Sequence, residues 1–171
     1  MIYIYNDFGG THTSQLAASY HLGFLDDTRE PTKEEILETP LFDRLDYGDR
    51  GKLYFRGADE DGNSVYTVGR GRSKVLIPGM IRLLEALVRQ GALTERVVLS
   101  NTSSTVPWVM SVGGLTSRWL KLRGIGEPLL VIGAKQAYRD IAEVVHRTKA
   151  AGTSATAPVV VLDNARTGNR S

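Results

Sequence analysis

The chain contains no cysteine. That excludes disulfides, thiolate catalysis and cysteine-ligated zinc or iron–sulfur centres. No apolar run comes near the roughly 20 residues of a membrane span, so no membrane partner is expected. The three histidines lie far apart without carboxylates at ligand spacing, and no metal site is expected from them. Excess charge is lacking too. The 21 basic and 19 acidic residues leave +2, too little by itself to argue for nucleic acid. Aromatics are sparse at 8%, and Tyr54, Tyr66 and Trp108 have no spacing suited to base stacking, so nucleic acid is not an expected partner. The chain does not open with a basic segment, apolar stretch and cleavage site, and a cytoplasmic location is the expectation.

What is present suits one globular domain. There are 171 residues, 42% hydrophobic and 23% charged, enough for a sizeable core. Met1–Tyr5 is an apolar, β-prone run, and Gln15–Leu22 reads as a helix stopped by Gly23. Thr32 with Glu35 forms a capping-box pattern that opens a short helix, ended by Pro40. Lys52–Arg56 and Val65–Val68 flank a turn at Asp61–Gly62 and predict a β-hairpin, placed as an insertion over about 52–70. Its acidic tip lacks the closing ligands of a calcium loop. Ile77, Met80, Ile81, Leu84, Leu87 and Val88 share one helical face. Arg96–Ser100 and Leu129–Ile132 read as buried strands, with helices predicted over Trp108–Leu122 and Ala134–Lys149.

Pro158–Leu162 fits an edge strand or a partner-binding segment, but the low-complexity run Ala150–Ala157 favours a mobile tail over 150–171. Strand–helix alternation then predicts a single α/β domain over 1–149. Its sheet is mainly parallel with helices on both faces, a three-layer sandwich of the P-loop-like or Rossmann-like kind. Ligands of such sheets sit beyond the carboxyl ends of the strands, where the loops Asn6–Ser14, Asn101–Thr105 and Gly133–Gln136 should converge.

The first of these loops carries the chemistry. Gly9 and Gly10, between a buried strand and a helix N-terminus, let the backbone turn its N–H groups toward an anion. It is not a Walker A loop, because Gly10-Thr11-His12-Thr13-Ser14 has no lysine, and His12 sits near where one would be. The simpler alternative is a tight turn with Thr13 or Ser14 as helix cap. Gly113, Gly114, Ser117 and Arg118 form a second candidate, in which Arg118 could clamp a phosphate; the alternative is close helix packing with Arg118 in solvent. Lys135, or Arg70, Arg72 and Lys74, could add positive charge at the same edge. His21 and His146, inside helices, read as packing or surface residues.

The G-G-T-H-T-S core at 9–14, Val65–Arg70, and Gly113–Arg118 together resemble the domain of unknown function 3189 family of Firmicutes over about Met1–Lys149. The resemblance implies a bacterial cytoplasmic protein of Gram-positive, often spore-forming lineages. The family often carries Cys where this chain has Asp7, so a thiol chemistry does not carry over.

The expectation is an enzyme that binds a small phosphorylated ligand or nucleotide, a phosphotransferase or phosphohydrolase. His12 and Arg118 would be catalytic. Gly9, Gly10, Thr11, Thr13, Ser14, Gly113, Gly114, Ser117 and Lys135 would bind the ligand. Magnesium could accompany a nucleotide, held by Asp7 or Ser14. The alternative is a non-catalytic regulatory or partner-binding module.

Overall fold

A computed structural model describes residues 1–111 and 123–164. Its centre is strand β1 (Ile2–Asp7), whose side chains are buried on both faces of the sheet. Around it run α1 (Thr13–His21), α2 (Lys33–Glu38), β2 (Leu53–Ala58), β3 (Ser64–Gly69), α3 (Leu76–Arg89), β4 (Val97–Asn101), α4 (Arg123–Ser154) and β5 (Val159–Leu162). The five strands lie in the order β2-β3-β1-β4-β5. β1 is parallel to β3 and β4, and β4 to β5, while β2 alone runs antiparallel, against β3.

Alternation along β1 divides the core. Tyr3 and Tyr5 face α1 and α4, packing with Leu16, Ala17, Ile141 and Val145. Ile4 faces the other way, joining Val68, Val97 and Leu99 beneath Ile77, Met80, Ile81 and Leu84 of α3. Those are four of the six residues of the apolar face predicted from the sequence of α3. Helices therefore cover both faces of a mostly parallel sheet, as the strand–helix alternation predicts. Helix α1 is enclosed between the sheet and α4, with all nine residues buried. Being covered on every side, it has little of the amphipathic pattern that surface helices display.

Three sequence expectations are corrected. The hairpin is not an insertion, because β3 pairs with β1 across their whole lengths and forms part of the central sheet. Leu129–Ile132 is not a strand but a turn within α4. A short apolar run reads the same in a buried strand and a buried helix. The buried positions Leu130, Val131, Ala134, Ala137, Ile141, Val145 and Thr148 follow a helical period, which the four-residue window conceals. Finally, the segment assigned to a mobile tail continues α4 to Ser154 and supplies the edge strand β5, paired with β4 from Val97↔Val159 to Ser100↔Leu162.

Candidate functional site at the carboxyl edge

The glycine loop folds around its own carboxylate. Asp7, the last residue of β1, accepts hydrogen bonds from the Gly10 amide, the Ser14 amide (2.9 Å) and the Thr13 hydroxyl (3.1 Å). Ser14 is the second residue of α1, so Asp7 caps that helix from six residues before its first turn. The N-terminal dipole that suggested an external anion thus holds an internal one. Two close backbone approaches fix this arrangement. A Cβ on Gly10, where φ is +73°, would lie 2.6 Å from the Gly69 amide nitrogen, and one on Gly69 would lie 2.6 Å from the Gly9 carbonyl oxygen. Arg70 N–H then donates to Asp7 O (2.9 Å) and Gly71 N–H to Phe8 O (2.8 Å). Gly10 and Gly69 are therefore needed for a backbone-to-backbone contact.

The same environment disfavours magnesium at Asp7. Both carboxylate oxygens already accept hydrogen bonds, at the positive end of a helix dipole. Ser14 Oγ is buried without a hydrogen-bond partner among the described residues, while Gln15 Nε2 reaches Gly10 O (2.7 Å) and Thr67 Oγ1 (3.0 Å), bracing the loop from below.

His12 emerges at the rim. Its Nε2 lies 3.2 Å from Asp43 Oδ1, and both side chains are about one-fifth exposed, at 17% and 20%. A carboxylate can only accept, so Nε2 is the donor in this contact. Nδ1 has no hydrogen-bond partner among the described residues. The Asp43 segment is docked by Thr11, whose carbonyl accepts from Asp43 N–H (3.0 Å) and whose hydroxyl donates to Leu41 O (3.2 Å). Leu41 and Asp43 both take positive φ, 62° and 51°, a sparsely populated conformation held by these contacts.

On the α3 side of the same edge lies a crevice of about 430 Å³, lined by Asn6, Arg70–Lys74, Asn101 and the end of β5 at Val161–Asp163, among others. Arg70 is held there by neutral oxygens, donating to Asn101 Oδ1 (3.2 Å) and Ser103 Oγ (2.8 Å). Arg72 and Lys74 are exposed. None of the three cations has a carboxylate partner among the described residues. The acid on the wall, Asp163, accepts from Asn101 Nδ2 (2.8 Å). Nearby, Arg50 packs on Gly71 and lies between the Phe8 and Tyr47 rings, 4.7 and 4.2 Å from their centroids.

Of the residues singled out in the sequence, Gly9, Gly10, Thr11, His12, Thr13 and Ser14 come together at this edge. The hydroxyls of Thr11 and Thr13 are engaged in loop architecture; Thr13 Oγ1 also lies 3.0 Å from Thr102 Oγ1, which ties the start of α1 to the loop after β4. Two of the three loops expected to converge do so. The third, Gly133–Gln136, lies inside α4, where Lys135 pairs with Glu30 (3.0 Å) rather than with a site. Gly113, Gly114, Ser117 and Arg118 lie outside the described residues. Sequence reasoning missed Asp43, Arg50 and Asp163. Asp43 sits in a turn-rich stretch with no signal linking it to His12, and Asp163 follows a segment read as tail.

The family described as protein of unknown function (DUF3189) matches residues 2–150. No curated protein and no solved structure matches the chain.

Proposed function

The chain belongs to this family of unknown function, and from that premise we propose that its carboxyl edge binds a small phosphorylated ligand, such as a nucleotide, in the crevice beside Arg70, Arg72 and Lys74. One observation carries this reading. Three cations, none of them ion-paired to a carboxylate among the described residues, gather around a ligand-sized crevice beyond the parallel strand ends, which the single acid Asp163 also lines. The N-terminus of α3, whose Leu76 amide donates to Ser73 Oγ (3.1 Å), opens beside the same loop and adds its favourable dipole. The glycine loop acts as scaffold, because Asp7 occupies the position expected for the ligand's anion.

A phosphotransferase or phosphohydrolase activity is the second step of this reading; it looks to the His12–Asp43 pair, which stands at the same edge but outside the residues that line the crevice. An imidazole with a free Nδ1, oriented by a carboxylate, is suited to accept a proton from an attacking hydroxyl or water. The alternative, a non-catalytic regulatory or partner-binding module, needs the cations but not the dyad.

The test is calorimetric titration with inorganic phosphate, a nucleoside monophosphate and a nucleoside triphosphate, with and without magnesium. Binding at hundredfold excess over Kd should stabilise the protein by about 2.7 kcal/mol. Joint replacement Arg72→Ala and Lys74→Ala should weaken binding at least about tenfold, in proportion to the lost charge-assisted contacts. Unchanged affinity in that variant would refute the crevice as the site. Phosphate release abolished by His12→Ala, with binding retained, separates enzyme from binder.

A further inference from the structure

A second pocket, of about 600 Å³, lies where α1 ends, between the Leu22–Asp27 turn, Glu60 of the hairpin and Lys149 of α4. Its volume falls within the range of small-molecule sites. Most of its charges are already matched: Arg29 pairs with Glu35 (2.5 Å) and Asp26 (3.4 Å), and Asp27 with His146 (2.5 Å). Glu60 and Lys149, of opposite sign among the lining residues, have no ion-pair partner among the described residues.

A third polar group belongs to a residue that lines this space, Tyr20. Tyr20 is 6% exposed, and its hydroxyl is buried without a hydrogen-bond partner among the described residues. Its ring is packed in the core, and among the charges acting on its hydroxyl are Glu35, Asp27 and Arg29, all residues of the pocket wall. Burial pushes the ionisation of this phenol far above its ordinary range, so it remains a neutral donor and acceptor. A buried hydroxyl left unsatisfied is destabilising, and a polar ligand atom that reached it would relieve that cost.

We propose that this pocket binds a small zwitterion of the α-amino-acid class, its carboxylate on Lys149, its ammonium on Glu60, and a polar atom against the Tyr20 hydroxyl. A simple anion or a simple cation would leave one of the two unpaired charges unmet. The two charges also flank one element. Lys149 acts electrostatically on His21, and Glu60 directly follows Asp59, the partner of His21. These residues share nothing with the carboxyl-edge crevice, so the two readings stand or fall separately.

The test is calorimetric titration of the whole chain with the standard L-amino acids, with acetate and methylamine as single-charge controls. At least one amino acid should bind and raise the melting temperature while both controls stay silent. Lys149→Ala and Glu60→Gln should each weaken that binding about tenfold, and Tyr20→Phe by several-fold, with the unliganded melting temperatures close to the unmodified protein's. Silence from every amino acid would overturn the proposal. So would acetate or methylamine binding as tightly as an amino acid, or an unchanged affinity in Lys149→Ala.

Discussion

The two ends of α1 carry the same chemical pair in opposite settings. At its start His12 meets Asp43 at 3.2 Å, and at its last residue His21 meets Asp59 at 3.0 Å. His21 is buried, and both ring nitrogens are in use, Nε2 toward Asp59 and Nδ1 2.7 Å from the Tyr5 hydroxyl. Because Asp59 can only accept, Nε2 carries the proton and Nδ1 accepts from Tyr5. Asp59 in turn receives Asn63 N–H (2.8 Å) and Asn63 Nδ2 (3.0 Å), which closes the hairpin turn. Burial opposes the Asp59 charge, but the bonds from Asn63 and His21 outweigh it and hold its pKa below the ordinary value. At His12 one nitrogen is bound and the other is free. A histidine–aspartate pair is therefore structural or reactive according to what its remaining nitrogen faces.

The largest test of this contrast is His21→Ala, which strands the Tyr5 hydroxyl and the Asp59 carboxylate. It should cost about 4 kcal/mol in urea unfolding, against less than about 1 kcal/mol for His12→Ala. Equal losses would erase the distinction. Next is Asp7→Ala, which leaves the Gly10 and Ser14 amides without their acceptor and should cost about 3 kcal/mol, read as a shift of the unfolding midpoint. The smallest effect is in the pH dependence. Burial lowers the His21 pKa from 6.5, the Asp59 bond only partly opposing, even though the C-terminal end of α1 would favour a cation. The unfolded chain therefore protonates first. Stability holds above pH 6.5 and falls below it, by at most about 1.4 kcal/mol per pH unit. In His21→Asn that fall should vanish, as measured by melting temperature between pH 7.5 and 5.5.

Much of this frame was legible in the residues. The glycine pair, the capping box at Thr32–Glu35, the hairpin tip and the α3 stripe all act through neighbours a few positions apart, where spacing reports structure. The site was legible in location and less so in content. Gly9–Ser14 does lie at the carboxyl edge, but the anion at its amides is Asp7 itself, a choice made by side-chain rotation that no spacing encodes. Asp43 reaches His12 across 31 positions through a turn with positive φ, and Arg70 finds Asn101 across another 31. Val159–Leu162 was obscured because the small, polar residues before it resemble a linker, although four valine and leucine residues suffice for an edge strand once β4 offers its free side.

That last strand has a consequence for the order of assembly. The wall at Val161–Asp163 comes from residues beyond the 2–150 span matched by the family, while the cations opposite it come from within that span. On the ribosome the sheet can exist with four strands long before residue 162 emerges, and the crevice gains its second wall only with the final pairing. Loss of the Val159–Leu162 pairing would therefore leave the crevice walled on its cation side without the wall that faces it.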